Sequence, residues 1–430
     1  MWLYNICIFV YAQCIRLCSP WYSKARLWYE GRIGLFGRLA AAIGSGDRIV
    51  WIHAASLGEF EQGRPIIEKI RAEHPEYKIL LTFFSPSGYE VCKNYDGADY
   101  IFYLPADTRA NARRFLDIVR PEIAVFIKYE FWINLLAELR RRKVRTYVVS
   151  SVFLDDSVFF RFYGGLWRRA LRSFDIIFVQ NEESKAALAR IGFENTVVAG
   201  DDTRFDRVAQ IASRAVRIDI IDRFRSSSPL FIAGSTWESD EEMLLPLIND
   251  NPSIKFIVAP HEMNEERIVR FMERVKGGAV RYTCCTPNMS YGSKQVLVLD
   301  TVGLLSSAYV YASWAYIGGG FGSGIHNTLE AAAFGLPMAF GPRYRKFKEA
   351  CDLVALGAAE VVTDSGQLSR WFAPLRDNEE YLSKMSRIAR DYTLRHCGAT
   401  DIFMQNVFGS GGIGNIGNTG NTGSSGDDRH

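Results

Sequence analysis

Two rhythms of apolar and polar positions run through this chain. From residue 48 onward, short runs rich in Ile, Val, Leu and Phe read as strands near 48–53, 78–84, 123–127, 146–150, 176–180 and 196–199. Between them apolar residues recur every three or four positions, as in helices, over 60–73, 107–119, 131–143 and 182–191. Near 200–228 the pattern breaks into charged sequence that ends in Ser226 to Pro229. A second series then begins, with strands near 230–233, 254–258, 296–299, 314–317 and 337–340 and helices near 238–248, 264–276, 326–335 and 377–393. Alternation of this kind predicts parallel sheets with crossover helices. The fold class is therefore α/β, with two doubly wound domains and a cleft between them, over about 25–212 and 213–408. Residues 409–430 break both rhythms. Eight of those 22 residues are Gly, and the remainder, mostly Asn, Ser and Thr, can form no core, which predicts a disordered tail.

The first 24 residues read differently again. Met1 to Gln13 carry no charge and are rich in Trp, Tyr, Ile, Phe and Val; Arg16 is the first charged residue. Lys24, Arg26, Arg32 and Arg38 follow, among Trp21, Tyr22, Trp28 and Tyr29. The uncharged stretch is shorter than the roughly 20 residues of a simple spanning helix. Aromatic and basic residues after it match a membrane–water boundary. Residues 1–24 thus read as a membrane-anchoring segment that spans or lies in the interface, or else as a buried first helix.

Charge and cysteine content change this picture little. The net charge is +3, with an excess of five positive charges in residues 1–212 and a deficit of two in the remainder. A basic first half suits an anionic membrane or acceptor, and equally an ordinary solvated surface. The eight cysteines show no Cys-x-x-Cys pair and no zinc spacing, so they read as reduced thiols and no metal site is expected.

Chemistry is expected at strand ends, because ligands of open α/β sheets bind beyond the carboxyl ends of the strands. Ser56, Leu57, Gly58 and Glu59 follow the first strand. A carboxylate there is placed to take a proton, and equally to interact with a helix amino terminus. Ser85 and Ser87, around Pro86 and before Gly88, offer hydroxyls to an anion or simply cap a helix. Lys128 and Glu130 follow an apolar strand, aimed into the cleft or joined in a structural ion pair. Arg204, within Gly200 to Asp206, either reaches an anionic leaving group or belongs to a hinge with self-paired charges. The fifth loop runs from Gly318 through Gly319, Gly320, Ser323 and Gly324 into a helix beginning near His326. Its free amides and glycines suit phosphate, and Glu330, about one turn in, suits ribose hydroxyls. Pro260 and His261 would lie on the same side of that sheet.

In this order these segments resemble the 3-deoxy-D-manno-octulosonic acid (Kdo) transferases of lipopolysaccharide assembly. The resemblance rests on His53 to Glu59, Ser85 to Gly88, Gly234 to Glu238, Ala259 to Glu262 and His326 to Glu330, and runs to about residue 408. It implies the GT-B architecture, two Rossmann-like domains facing a cleft, and inverting transfer of Kdo from CMP-Kdo to the lipid A precursor. It also implies no metal, no cofactor, no nucleic-acid partner, and a place on the cytoplasmic face of the inner membrane. By position it makes Glu59 the general base, with Glu130 and Arg204 stabilising the transition state. Pro260, His261, Val302, Gly303, Leu304, Asn327, Thr328, Leu329 and Glu330 fall where the family contacts CMP. Arg204 stands where many members have Lys, and Leu304 where some have an acid. Asp201 and Asp202 double a more usual single acid.

Overall fold

The computed structural model describes residues 2–214, 216–286, 289–291 and 293–409. The predicted disordered tail lies almost wholly outside these residues. Two compact units are present, Met1–Asp206 with the carboxyl-terminal segment from Gly398, and Arg207–Cys397.

The first unit holds strands β1 (Ile49–Ala54), β2 (Lys78–Phe83), β3 (Tyr100–Tyr103), β4 (Ile123–Ile127), β5 (Arg145–Ser151), β6 (Ile176–Val179) and β7 (Thr196–Val198). They form a parallel sheet of order β3-β2-β1-β4-β5-β6-β7. Side chains alternate between its two faces. Trp51, Leu80, Ala124 and Phe126 join one core. Val50, Ile52, Leu81, Val125 and Ile127 join the other. Both faces are covered, which is why the central strands read as unbroken apolar runs.

The second unit holds β8 (Leu230–Thr236), β9 (Lys255–Pro260), β10 (Ala279–Arg281), β11 (Val296–Val298), β12 (Trp314–Ile317), β13 (Met338–Phe340) and β14 (Ala359–Val361). Their order is β10-β11-β9-β8-β12-β13-β14, again parallel. Three strands, β3, β10 and β14, were not expected from the sequence. Each is three or four residues long at a sheet edge, too short and too one-sided to show as a hydrophobic run.

Two differences concern the chain ends. The helix Ala399–Phe408 belongs to the first unit, not to a second domain running to residue 408. Its stripe Ala399, Phe403, Met404 and Val407 packs on the core containing Tyr147 and Phe178. Asp206 caps it, accepting from Gly398 N, Thr400 N and Thr400 Oγ1. At the other end, the helix Trp2–Cys18 contains no buried residue, so it is not a buried first helix. It is nevertheless tied down: Tyr4 donates to Asp107 at 2.6 Å, Asn134 donates to Asn5 at 2.9 Å, and the Tyr11 ring stacks on Phe84. Among the described residues no single helix is long and apolar enough to cross a membrane. The pair Trp2–Cys18 and Ser23–Glu30, bent by 119°, passes by length and composition.

Candidate active site

In the first sheet the chain order reverses between β1 and β4, the switch point where doubly wound sheets bind ligands. The helix Leu57–Glu73 follows β1 directly, and Glu59 stands in its first turn. Ser56 precedes the helix in extended conformation, and its hydroxyl donates to Glu59 Oε2. The loop after β2 lies alongside, since Ser85 N donates to Ala55 O at 2.8 Å. Ser85 caps the helix Pro86–Cys92, accepting from Ser87 N, and its hydroxyl meets that of Ser87 at 3.0 Å. These two serines are therefore occupied as a cap.

After β4 the backbone enters the left-handed region at Lys128, with φ 63°. A non-glycine residue there is strained, and such strain gathers at functional sites. The turn sends Glu130 back toward β1. There the buried His53 places Nε2 3.1 Å from Glu130 Oε2, and Trp132 Nε1 donates to the same oxygen at 2.7 Å. Lys128 and Glu130 are thus not an ion pair with each other: Glu130 turns to His53. The sequence reading gave His53 no role of its own. A single polar residue inside an otherwise apolar strand was the available signal.

Arg204 opens the helix Arg204–Ser213. Its backbone N and Nε both bond the buried Asp202, each at 2.9 Å. Asp202 also accepts from Gln62, on the Glu59 helix, and Thr203 Oγ1 donates to Gln62 O at 2.6 Å. The doubled acid thus has an internal use: Asp202 ties the Arg204 loop to the helix that carries Glu59.

The second sheet has its own switch point, between β8 and β12. Here two expectations are corrected. The helix after the glycine loop begins at Leu329, not near His326, and spans only Leu329–Ala333. Asn327 causes the delay: its Oδ1 accepts from Leu329 N, and its Nδ2 donates to Glu330 Oε1 at 3.0 Å. Nor are the loop amides all free for phosphate. Gly318 N donates to Gly234 O, Gly319 N to the buried Asp240, and Gly322 N to Gly319 O. Several of the glycines serve close loop packing instead. A Cβ on Gly318 would lie 2.2 Å from Ser235 O, and one on Gly320 2.5 Å from Gly341 Cα.

Asp240 was missed by the sequence reading, although it completes a capping box at the helix Glu238–Asp250. It accepts from Trp237 N, Tyr316 Oη and Gly319 N, and so joins the loops after β8 and β12.

A cavity of about 190 Å³ opens between these loops, lined by Gly234, Ser235, Gly303, His326, Asn327 and Glu330 among others. Ser306 donates to Glu330 Oε2 at 2.7 Å, which holds the carboxylate at the cavity wall. Beside it the rings of Trp237, His261 and His326 form a column, with His261 stacked on His326 at 4.3 Å between centroids. Burial, and then the neighbouring His261, push the His326 imidazole down to about 4. His326 is therefore neutral at physiological pH. The other expected contact residues differ in exposure. Leu329 and Thr328 are buried, Pro260 is buried at the end of β9, and Val302 and Ser323 are exposed. Leu304 precedes the short helix Leu305–Ala308, and Gly324 adopts φ 143° beside Phe347. Among the described residues no cluster of three or more His, Cys, Asp or Glu is arranged to hold a metal ion.

Residues 29–207, which include all seven strands of the first sheet, match the family model described as 3-deoxy-D-manno-octulosonic-acid transferase (kdotransferase). The similarity continues into the second unit. The 3-deoxy-D-manno-octulosonic acid transferase of Haemophilus influenzae is 24% identical over 421 residues, covering 91% of this chain and 96% of that one. That of Bordetella pertussis is 28% identical over 373 residues, covering 82% and 85%. Over most of its length the chain is thus similar to Kdo transferases. A UDP-GlcNAc 2-epimerase structure from Neisseria meningitidis superposes with a TM-score of 0.59 over 83% of this chain and 98% of that one. At 14% identity that likeness shows the fold alone, and the fold of this chain is GT-B. The similarity to these transferases makes it a glycosyltransferase.

Proposed function

We propose that this glycosyltransferase moves Kdo from CMP-Kdo to the lipid A precursor with inversion at the anomeric carbon and without a metal ion. The carrying observation is Glu59, a half-buried carboxylate at the switch point of the first sheet in a chain similar to Kdo transferases. The acceptor hydroxyl is too weakly acidic to attack unaided, and Glu59 removes its proton as the glycosidic bond forms. Glu130 and Arg204 stabilise the transition state. In the second unit the cavity beside Glu330 receives the cytidine nucleotide, with Glu330 accepting from ribose hydroxyls. CMP is a monophosphate leaving group, so amide donors and one cationic side chain suffice to stabilise its charge.

The test is transfer by the full chain, with CMP-Kdo and a phosphorylated diglucosamine lipid, read by mass spectrometry. Kdo-bearing lipid is expected. In calorimetry CMP should bind more tightly than UDP or GDP. No product together with tighter UDP binding would instead indicate a UDP-sugar enzyme of the same fold.

The site of action is proposed to be the cytoplasmic face of the inner membrane. Trp2, Leu3, Phe9, Val10 and Leu17 are exposed on the first helix, with Arg16, Lys24 and Arg26 nearby. Tyr4 and Asn5 hold the opposite side of that helix to the first unit. A helix pinned in this way suits the membrane interface, its apolar face among the headgroups. Changing Phe9→Ser and Val10→Ser together is expected to weaken cosedimentation with anionic vesicles at least tenfold, with the melting temperature unchanged. A fall in melting temperature with unchanged vesicle binding would assign these side chains to internal packing.

A further inference from the structure

Resting on the reading that Glu130 takes part in transfer, we propose that His53 is a positioning residue. It donates an Nε2 proton to Glu130, and the Thr82 hydroxyl sets that tautomer. His53 pairs in register with Thr82 on β2 and with Phe126 on β4, so it lies at the centre of the switch point. It is fully buried, as are Thr82 and Trp51.

Hydrogen-bond directions along this row follow from the chemistry of each group. An indole nitrogen only donates, so Trp51 Nε1 gives its proton to Thr82 Oγ1 at 2.8 Å. That leaves the Thr82 hydroxyl proton for His53 Nδ1, 2.9 Å away. Nδ1 then accepts, and the imidazole carries its own proton on Nε2, facing Glu130 Oε2 at 3.1 Å. Trp132 donates to the same oxygen, so two donors grip Oε2. Oε1 has no protein donor among the described residues and is the atom left to face a ligand.

The opposite tautomer would donate from Nδ1 to the Thr82 carbonyl, 3.1 Å away. Its Nε2 would then accept from Trp132 Nε1, 3.1 Å away, in competition with Glu130 Oε2 at 2.7 Å from that indole, and would set its lone pair against the carboxylate oxygen. The Thr82 hydroxyl decides between the two arrangements. Its presence makes His53 a second donor to Glu130 and fixes the rotamer of that carboxylate.

Selective ¹⁵N labelling of the six histidines reads the tautomer directly in the full chain. In the native protein the His53 proton is expected on Nε2. Thr82→Val is expected to move it to Nδ1 and to lower kcat about tenfold at unchanged KM for the donor, with Thr82→Ser restoring both. Thr82→Val also orphans the Trp51 indole, so Trp51→Phe combined with Thr82→Val separates loss of stability from loss of the tautomer. A native proton on Nδ1 overturns the proposal, as does unaltered kcat once the proton has moved. The tautomer is measured without substrate and stands or falls apart from the transfer reaction. Wild-type turnover in Glu130→Gln would instead refute the role of Glu130.

Discussion

Glu59→Gln is expected to lower turnover by about 10²–10⁴-fold, the usual contribution of a general base, while the affinity for CMP stays unchanged. Gln keeps the shape of the side chain, and its amide oxygen can still accept from Ser56, so the helix start is preserved. It cannot take a proton. The competing explanation is that Glu59 only complements the amino terminus of a 17-residue helix. That interaction is worth about 0.3–1 kcal/mol. If it were the whole role, the variant would melt slightly earlier and turn over at nearly the native rate. Turnover, thermal melting and CMP titration on one preparation separate the two accounts, and near-native turnover would remove Glu59 from the base role.

Gly318→Ala should produce the largest effect in the second unit. The added methyl would sit 2.2 Å from Ser235 O and 2.7 Å from both Ser235 C and Thr236 Cα. All three are backbone atoms, so no side-chain rotation relieves the overlap. Ser235 is itself left-handed, with φ 53°, and has little freedom to move. The end of β8 and the loop after β12 must part, breaking the bonds from Gly318 N to Gly234 O and from His326 N to Gly318 O. Overpacking of this kind typically costs about 1–3 kcal/mol. Because both segments line the cavity beside Glu330, CMP affinity is expected to fall at least tenfold and the melting temperature by several degrees. Gly322→Ala is the control: its methyl would meet only Gly319 O, at 3.6 Å, an ordinary contact. Equal losses in both variants would mean that the loop as a whole, not the close approach at Gly318, governs binding.

Much of the fold was legible because buried parallel strands must be apolar on both faces. Strands β1, β4, β8 and β12 stood out for this reason, and the glycines and carboxylates that follow them marked the ligand-binding edge. The edge strands β3, β10 and β14 did not stand out, since a three- or four-residue strand with one neighbour needs no long apolar run. The late helix start at Leu329 was hidden because it depends on Asn327 accepting from a backbone amide two residues ahead. Left-handed Lys128, Ser150 and Ser235 carry no sequence mark at all: their neighbours, not their side chains, hold those angles.

The linear chain alone determined where the strands end, which residues follow them, and so which side chains stand at the working edge of each sheet. Local periodicity carries that information, because burial acts on each segment in the same way wherever it lies. Only the tertiary structure decided which of those residues meet. Glu130 is 77 positions from His53, and Gly319 is 79 from Asp240. Each pair forms because β1 lies beside β4 and β8 beside β12, adjacencies that crossover connections create. The helix Ala399–Phe408 returns to the first unit for a similar reason: its apolar stripe fits either kind of core, and the core containing Tyr147 and Phe178 is the one that receives it.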